Sequence, residues 1–342
     1  MNRFIIFQTV SIKDALITLN EMMFDTQTLL VVDEEQKLVG TLTDGDIRRG
    51  LISDAELLDP VSTIMHKDFK FILKSKFDVS VLKKLRDKRI YFIPVLDEEH
   101  HIVEVLNLKT MKSSLPIDAV LMAGGKGERL RPLTEKTPKP LVKVGEKCII
   151  DYNVDNLIVY GVKHLNVTVN YLGEQLEEHF AEPRNGVQVR TFREPKFLGT
   201  IGSIKFVDTF HNDYILVMNS DLFTDIDFED FFLHFREHNA EMSVAAVPYN
   251  VSISLGILDL DGRNIKGILE KPKYNYYANA GIYLFKKSAL AEIPEDTFFN
   301  ATDLIEKLIA QGKSVIRYPI KGIWIDIGQH ADLAKARDLV KH

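Results

Sequence analysis

The sequence is poor in cysteine, in long apolar runs and in surplus basic residues, and each shortage excludes a class of protein. Cys148 is the single cysteine, so no internal disulfide can form and nothing favours an oxidising compartment. No stretch approaches the roughly 18 apolar residues of a membrane span, and residues 4–10 are too short for a signal peptide. The 43 Lys and Arg residues face 49 Asp and Glu, a net charge of −6, which argues against general nucleic-acid binding. We therefore expect a cytoplasmic protein with no membrane or nucleic-acid partner.

A length of 342 residues predicts two domains, and the first of them carries an internal repeat. Two segments, about 1–60 and 61–113, match at a constant offset of 64 residues. In both, a helix-like stretch precedes an apolar strand, an acidic turn and a second strand. The matched pairs are Asp14 and Asp78, Val31 and Val95, and Asp33 and Asp97. We predict a tandem pair over residues 1–113 and a second domain over residues 117–342.

A glycine-rich segment opens the second domain. A strand-like run at 117–122 breaks into Gly124-Gly125-Lys126-Gly127, and five basic residues follow within a short distance. Glycine lets backbone N–H groups approach a phosphate closely, and fixed cations can neutralise a polyphosphate. The basic residues are Arg129, Arg131, Lys136, Lys139 and Lys143, and Lys139 lies between two prolines. The segment therefore predicts a polyphosphate site.

Apolar runs alternate with helical patterns through the second domain, which predicts a mainly parallel α/β sheet covered on both faces. Ligands collect at the carboxyl ends of the strands of such sheets. Asp221 follows one apolar run and Asp326 ends another, so both carboxylates are expected at that edge. The predicted strands are 118–122, 165–169, 187–193, 214–218, 242–247, 280–285, 314–319 and 323–325, and the predicted helices are 151–160, 173–180, 227–238 and 301–309.

Residues 121–144 closely resemble the signature GGxGxRLxPLTxxxPKP of the sugar-1-phosphate nucleotidyltransferases. The resemblance implies a Rossmann-like, glycosyltransferase-A-like fold and transfer of a nucleoside monophosphate from a nucleoside triphosphate to a sugar 1-phosphate, with release of pyrophosphate. It also implies catalytic roles for Arg129, Lys139 and Asp221. Asp221 and Asp326 would hold Mg²⁺, which prefers one or two carboxylates together with phosphate oxygens.

Further motifs occur in the order found in that family. Residues 198–203 resemble its L-G-T-A-G-A loop, with Ile201 and Ser203 in place of smaller or different residues. An E-K-P segment and an N-x-G-x-Y segment imply a sugar-phosphate pocket. The implied nucleotide-binding residues are Met122, Ala123, Gly124, Gly125, Gly127, Asn170, Glu194, Gly199 and Thr200, and the implied sugar-phosphate residues are Gly256, Glu270, Lys271, Asn279 and Gly281.

Residues 38–49 of the first copy resemble a CBS domain, a module whose paired copies often bind nucleotides. In such pairs a Thr and an Asp at the positions of Thr43 and Asp46 hold the ribose and nearby phosphate, as a hydroxyl and a carboxylate are able to do. The second copy departs from the pattern, with Glu104, Asn107 and Thr110 at the matching offset. The pair either binds a regulatory nucleotide or only associates copies of the chain, and we expect a homo-oligomer.

The order of a CBS pair ahead of the catalytic domain resembles guanylyltransferases that activate glucosamine 1-phosphate in the GDP-linked route to legionaminic acid. The resemblance implies GTP and glucosamine 1-phosphate as substrates and GDP-glucosamine as product. The residues alone leave open mannose, heptose or glucose 1-phosphate, a choline-phosphate cytidylyltransferase, and a non-catalytic nucleotide-sensing subunit. Arg129, Lys139 and both aspartates are present, which argues against the silent subunit.

Overall fold

A computed structural model describes residues 2–22 and 27–341. The chain divides into two compact units, Met1–Ser114 and Leu115–His342. Across the described residues, every helix falls short of the length and apolar character needed to cross a membrane.

The first unit contains two small sheets of the same topology. Its elements are β1 (Ile5–Phe7), α1 (Ile12–Glu21), β2 (Thr28–Val32), β3 (Leu38–Thr43), α2 (Asp44–Ile52), β4 (Ile72–Leu73), α3 (Val79–Asp87), β5 (Phe92–Leu96) and β6 (Ile102–Asn107). In each sheet a short first strand lies parallel to the middle strand, and the third strand is antiparallel to it. Both apolar middle strands are buried, as their sequences predict.

The strand register supports the internal repeat. Val31 pairs with Gly40 in the first sheet, and Val95 pairs with Glu104 in the second. Both pairs preserve the offset of 64 residues. A Cβ at Gly40 would lie 2.7 Å from Sδ of Met65. The glycine therefore accommodates a neighbouring methionine.

The second unit is built on a seven-stranded sheet. Its elements are β7 (Ile117–Ala123), β8 (Lys143–Val144), β9 (Lys147–Cys148), α4 (Ile149–Val159), β10 (His164–Val169), α5 (Gly173–His179), β11 (Val189–Arg193), β12 (Tyr214–Asn219), β13 (Leu222–Thr224), α6 (Phe228–Glu237), β14 (Met242–Ser252), β15 (Ile257–Asp261), β16 (Asn264–Leu269), β17 (Lys273–Lys286), α7 (Ala301–Ala310), β18 (Val315–Pro319), β19 (Trp324–Asp326) and α8 (His330–Val340). The strand order is β11-β10-β7-β12-β17-β14-β18.

Only β17 runs against the other strands of this sheet, so the predicted mainly parallel α/β architecture is confirmed. The central strands are apolar on both faces because helices cover both sides. A core on one side joins Val120 and Val217 of the sheet to Leu304 and Leu308 of α7. These packed layers fix the carboxyl ends of β7, β10 and β12, where the candidate site lies.

The strands β14 and β17 run further than the predicted 242–247 and 280–285. Their outer halves pair with each other beyond the sheet and lead into the two-stranded hairpin of β15 and β16. The sequence patterns predict neither this hairpin nor α8. The outer strands carry tyrosines and polar residues instead of an apolar run, so burial does not mark them.

Candidate active site

A cavity of about 170 Å³ lies where β7, β10 and β12 end. This is the edge at which ligands collect in parallel sheets. Ser220, just after β12, ties that strand to β7 because its backbone N–H and its hydroxyl both donate to the carbonyl of Met122. The lining residues are Met122, Ala123, Gly124, Gly125, Lys139, Pro140, Thr168, Glu194, Phe197, Gly199, Thr200, Ser203, Asn219, Ser220 and Asp221.

The glycine-rich loop is held by tight packing. A Cβ at Gly124 would overlap Oε1 of Glu194, and nothing lies within 4 Å of the corresponding point at Gly125. Gly127 has φ +62°, a conformation that favours glycine, and its carbonyl accepts from the hydroxyl of Thr134 at 2.8 Å. Leu130 is fully buried and anchors the segment in a local core. The loop can therefore bring backbone amides close to a phosphate without a side chain in the way.

Lys139 lies between the two carboxylates that the sequence placed at this edge. It is only 9% exposed. Its ammonium donates to Oδ2 of Asp221 and lies 3.7 Å from Oδ1 of Asp326. The two aspartates meet because β13 and β19 pair in antiparallel fashion, with Leu222 opposite Asp326. Residues far apart in sequence thus form one charged cluster.

The cluster contains carboxylate oxygens that are able to bind a further cation. Oδ1 of Asp221 and Oδ1 of Asp326 are buried, and neither has a hydrogen-bond partner among the described residues, although Oδ1 of Asp326 is in ion-pair range of Lys139. Two effects raise the pKa of Asp326: its burial, which is the larger, and the negative charge of Asp221. Lys139 and Arg129 oppose that shift, which places Arg129 within electrostatic reach. A buried carboxylate oxygen with no donor is a ligand position for a positively charged group.

Arg129 packs against the chain just beyond Asp326. A Cβ at Gly328 would lie 2.9 Å from a terminal guanidinium nitrogen of Arg129. The glycine therefore makes room for the arginine. Together with Lys139, it supplies a second cation beside the carboxylate pair.

Glu194 closes the other end of the cavity. It is 3% exposed, and its Oε2 accepts from the backbone N–H of Leu198 at 3.2 Å. Asn170 donates to the backbone carbonyl of Glu194 at 3.4 Å and so supports this turn. Burial raises the pKa of Glu194 to about 7. The carboxyl group is therefore poised between its two protonation states near neutrality.

An aromatic pair lies beside Glu194. Phe197 lines the cavity although it is 53% exposed, and its ring meets Phe298 edge-on at a centroid distance of 5.9 Å. An exposed aromatic ring at a cavity mouth offers a flat apolar surface for stacking. Phe197 is not among the predicted site residues, although an aromatic residue just before a Leu-Gly-Thr loop is a usable signal.

The loop after Phe197 is joined to α7. Gly199 has φ +83°, and a Cβ there would lie 2.6 Å from the carbonyl oxygen of Phe299. The backbone N–H of Thr200 donates to Oδ1 of Asn300 at 3.2 Å, and the Thr200 hydroxyl accepts from the N–H of Ala301 at 2.9 Å. The Thr200 side chain is thus engaged with the start of a helix.

The two departures from the family's loop have structural partners. Ile201 is fully buried in the core under the sheet. The hydroxyl of Ser203 donates to that of Thr168 at 3.1 Å, and both residues line the cavity. Thr168 is likewise not among the predicted site residues, because a threonine inside an apolar strand does not stand out.

The residues expected to bind the sugar phosphate divide into two groups, and neither lines the cavity. Gly256 and Glu270 are neighbours at the base of the β15–β16 hairpin, where a Cβ at Gly256 would lie 3.0 Å from Oε2 of Glu270. Lys271 beside them is exposed, with φ +45°. Asn279 accepts from the N–H of Gly281 at 2.9 Å.

Gly281 links the second group to the cavity. It has φ +71°, and a Cβ there would lie 2.5 Å from Nδ2 of Asn219, a lining residue. The structure therefore places Asn279 and Gly281 next to the cavity, and places Gly256, Glu270 and Lys271 on the projecting hairpin.

The first unit has a cleft of its own, about 540 Å³ in volume. Thr43 lines it, whereas Asp46 lines a separate depression with Arg49. Both expected nucleotide ligands take part in a helix cap: the Thr43 hydroxyl and N–H donate to Oδ2 of Asp46 at 2.6 and 2.8 Å. Oδ1 of Asp46 accepts from Arg49 at 2.5 Å. The two side chains are thus hydrogen-bonded to each other, and they line different openings of the surface.

Comparison with known proteins identifies the family. The Nucleotidyl transferase family model matches residues 118–342, and a CBS domain model matches residues 1–53. The chain belongs to the nucleotidyl transferase family, and its first unit begins with a CBS domain. Its α/β fold is therefore the nucleotidyltransferase fold that the sequence predicted.

Individual relatives are 24–30% identical to this chain over the aligned residues. A provisionally named mannose-1-phosphate guanyltransferase of Sulfolobus acidocaldarius is 30% identical over 220 residues, 63% of this chain and 61% of the relative. The mannose-1-phosphate guanylyltransferase catalytic subunit beta of Danio rerio is 30% identical over 223 residues, 63% and 62% of the two chains. The chain thus spans about three fifths of these relatives. The crystal structure of HddC from Yersinia pseudotuberculosis shares the fold, with a TM-score of 0.52, 24% identity, and coverage of 65% of this chain and 99% of HddC.

Proposed function

We propose that the protein transfers a nucleoside monophosphate from a nucleoside triphosphate to a sugar 1-phosphate and releases pyrophosphate. The observation that carries this proposal is the buried cluster of Lys139, Asp221 and Asp326 beside a glycine-rich loop in one cavity. Such a cluster suits the meeting of two anions, because each pair of unit charges at about 4 Å repels by roughly 4 kcal/mol at an effective dielectric of about 20. Cations must offset most of that repulsion.

The chain's own residues supply positioning and charge. The amides of Gly124, Gly125 and Gly127, with Arg129, would hold the β- and γ-phosphates. Lys139 would bridge the α-phosphate and the incoming sugar phosphate, and Lys271 would reach the latter from the hairpin. An ionised oxygen of the sugar phosphate attacks the α-phosphorus, a new P–O bond forms, and the bond to the β-phosphate breaks with its electrons leaving on pyrophosphate. No general base is needed, because the attacking oxygen is already ionised. The rate acceleration therefore comes mainly from positioning of the substrates and neutralisation of their charge.

The carboxylate pair also fits a divalent ion. Each aspartate offers a buried oxygen without a hydrogen-bond partner among the described residues. We propose Asp221 and Asp326 as the ligands of Mg²⁺, which accepts one or two carboxylates and phosphate oxygens. When bound, the ion would neutralise charge on the phosphates and on departing pyrophosphate.

Glu194 supports guanine as the base. The Watson–Crick edge of guanine presents two adjacent N–H donors, and a carboxylate is able to accept both. Adenine, cytosine and uracil do not present that donor pair. Phe197 at the cavity mouth would stack on the base, an interaction worth about 1–3 kcal/mol. We therefore favour GTP as the nucleotide substrate.

Replacing Glu194 by glutamine tests this assignment. The variant should lose about 10–100-fold in kcat/KM for GTP, because a charge-assisted hydrogen bond contributes about 1.5–3 kcal/mol. In the wild type the KM for GTP should rise as pH falls through about 7, since protonated Glu194 loses an acceptor. Over pH 6–8 the Gln variant should show a smaller rise, the part caused by the substrates' own phosphates, whose second pKa is about 6. Initial-rate kinetics with each triphosphate measures both effects.

The control for this test is Glu178→Gln, which makes the same change at an exposed position on α5. It should leave the kinetics and their pH dependence unchanged. If Glu194→Gln keeps the wild-type preference for GTP over the other triphosphates, Glu194 does not recognise the guanine base.

For the sugar, we propose glucosamine 1-phosphate in the formation of GDP-glucosamine for legionaminic acid. Support comes from the resemblance of the whole chain, a CBS domain ahead of the transferase, to guanylyltransferases of that route. The relatives' names favour mannose 1-phosphate as the main alternative. A panel of sugar 1-phosphates with GTP distinguishes the two by kcat/KM. A cytoplasmic location accords with these soluble substrates and stays a prediction.

We further propose that the first unit is a tandem CBS pair that binds a regulatory nucleotide in its cleft. Basic and aromatic side chains line the cleft together, which suits phosphate and base respectively. They are Arg48, Arg89, Lys109, Tyr91 and Phe92. The same strand register in both small sheets supports a second CBS copy in the latter half of this unit.

Removing Arg89 should abolish this second nucleotide site. Calorimetric titration with GTP should give two sites per chain in the wild type, the catalytic cavity and this cleft, and one in Arg89→Ala. Arg49→Ala is the matched control, because Arg49 lines the separate depression. A single site in the wild type, or two in Arg89→Ala, would argue that the unit does not bind nucleotides in this cleft.

A further inference from the structure

One uncharged polar side chain lies in the buried apolar stripe of α4. Ile149, Asn153 and Leu157 follow one another at intervals of four residues, and all three are buried. Asn153 is 3% exposed. A buried amide costs free energy unless its polar atoms have hydrogen-bond partners. The position therefore favours an apolar residue unless the amide has a specific partner.

The Asn153 amide has two partners, and they flank Asp221 in the sequence. Its Nδ2 donates to the carbonyl of Leu222 at 2.8 Å and to that of Ser220 at 3.4 Å. The carbonyl of Asp221 itself accepts from the backbone N–H of Ile327 at 3.1 Å. Successive carbonyls of an extended chain point to opposite sides. The chain just after β19 therefore holds one side of this segment, and α4 holds the other.

The helix that carries Asn153 is itself fixed at its start. Asp151 is buried, and its Oδ2 accepts from the backbone N–H of Cys148 at 3.1 Å, which closes the first turn of α4. Its Oδ1 lies 2.7 Å from Nε2 of His179 on α5 and accepts from Arg184 at 2.8 Å. The Asn153 amide thus projects from a helix whose first turn is held by three partners.

The place of the Asp221 carboxylate depends on the backbone that carries it. Only Ser220 and Asp221 connect β12 to β13. Oδ2 of Asp221 must meet Lys139, and a misplacement of about 1 Å at a reacting centre is able to cost about 100-fold in rate. Without the amide, two carbonyls would lose this donor, and the segment would move to find other partners.

We propose that Asn153 is a positioning residue: its amide fixes the backbone on both sides of Asp221 and so holds that carboxylate against Lys139. Asn153 lies outside the cavity lining, so it acts through Asp221 and not on the substrates. Its effect on rate rests on the proposed function, whereas its effect on the backbone is independent of any reaction.

Asn153→Ala tests the proposal, with Asn166→Ala as the matched control. Asn166 is 2% exposed, and its amide also donates to a backbone carbonyl, that of Ala119 at 3.3 Å, outside the cavity lining. Both variants lose a buried amide of the same size, so both should lose thermal stability. Only Asn153→Ala should lower kcat, by about 10–100-fold, with less than about a threefold change in KM for the triphosphate. Equal kcat values for the two variants would overturn the proposal.

A double-mutant cycle with Asp221→Asn tests whether Asn153 acts through that carboxylate. Residues that act as one unit show strongly non-additive effects. In the Asp221→Asn background, Asn153→Ala should therefore lower turnover by no more than about threefold. The full loss seen in the wild-type background would show that the amide serves another part of the protein.

Hydrogen–deuterium exchange measures the effect on the backbone without any reaction. Amides of residues 220–224 and 325–328 should exchange at least about tenfold faster in Asn153→Ala than in the wild type, because local opening there loses a constraint. They should be unchanged in Asn166→Ala. Faster exchange in a protein that releases no pyrophosphate would contradict the proposed function and support the positioning. Unchanged exchange in an active protein would overturn the positioning alone.

Asn153→Leu covers the case in which the alanine variant does not fold. Leucine fills the space of the amide and is a better helix former, but it has no donor. It should reproduce both the loss of kcat and the faster exchange. If neither variant folds while Asn166→Ala does, the amide is required by the fold as a whole, and a role confined to Asp221 is wrong.

Discussion

Replacing Asp221 by asparagine should lower turnover by about 1000-fold or more while the fold stays intact. Asp221 accepts from the buried ammonium of Lys139 and keeps a second oxygen without a partner among the described residues. Neutralising it removes a charge that orients Lys139 and a ligand position for the proposed ion. A 1000-fold loss corresponds to about 4 kcal/mol of transition-state stabilisation. Pyrophosphate release at saturating substrates measures the effect.

The matched control is Asp208→Asn. Asp208 is exposed and pairs with Arg190 at 2.6 Å, away from the cavity lining. An exposed pair contributes little, so this variant should keep full activity and nearly full stability. If Asp221→Asn retains more than a fifth of wild-type turnover, the carboxylate cluster is not the reaction centre.

The second large effect is expected from Gly124→Ala, which should reduce kcat/KM for the nucleotide by about 100-fold. The added Cβ would overlap Oε1 of Glu194 and lie 3.3 Å from Cβ of Asn170. Because Glu194 is buried, its carboxyl group cannot move away without disturbing the turn that Asn170 supports. Both the phosphate loop and the proposed base contact should therefore be displaced.

Gly267→Ala is the control for this substitution, since nothing lies within 4 Å of a Cβ at that position. It should leave nucleotide affinity unchanged in fluorescence or calorimetric titration. Equal affinities for Gly124→Ala and the wild type would show that the nucleotide does not bind against this loop.

The parts of the fold that the sequence predicts are those where burial alone decides the structure. The strands β7, β10 and β12 are buried on both faces, so each appears as an apolar run near its observed bounds. The outer halves of β14 and β17 are stabilised by pairing with each other, and no apolar run marks them. The hairpin was missed although Asp261-Gly262 between alternating aliphatic residues is a recognised turn signal.

In the candidate site, too, some features can be predicted from the sequence and others depend on tertiary contacts. The glycine loop, Lys139 and the two aspartates are visible as motifs, because their chemistry requires particular residue types. Their convergence depends on the pairing of β13 with β19, which no local pattern encodes. The overlap that excludes a side chain at Gly124 likewise involves Glu194, distant in sequence. Contacts of this kind require the tertiary structure.

The most direct test of the proposed reaction is pyrophosphate release by the purified full chain with Mg²⁺, GTP and one sugar 1-phosphate at a time. The proposed reaction requires pyrophosphate formation that depends on the sugar phosphate and yields the corresponding nucleoside diphosphate sugar. Absence of pyrophosphate with every triphosphate and every sugar 1-phosphate, from protein that is folded by circular dichroism, would contradict it.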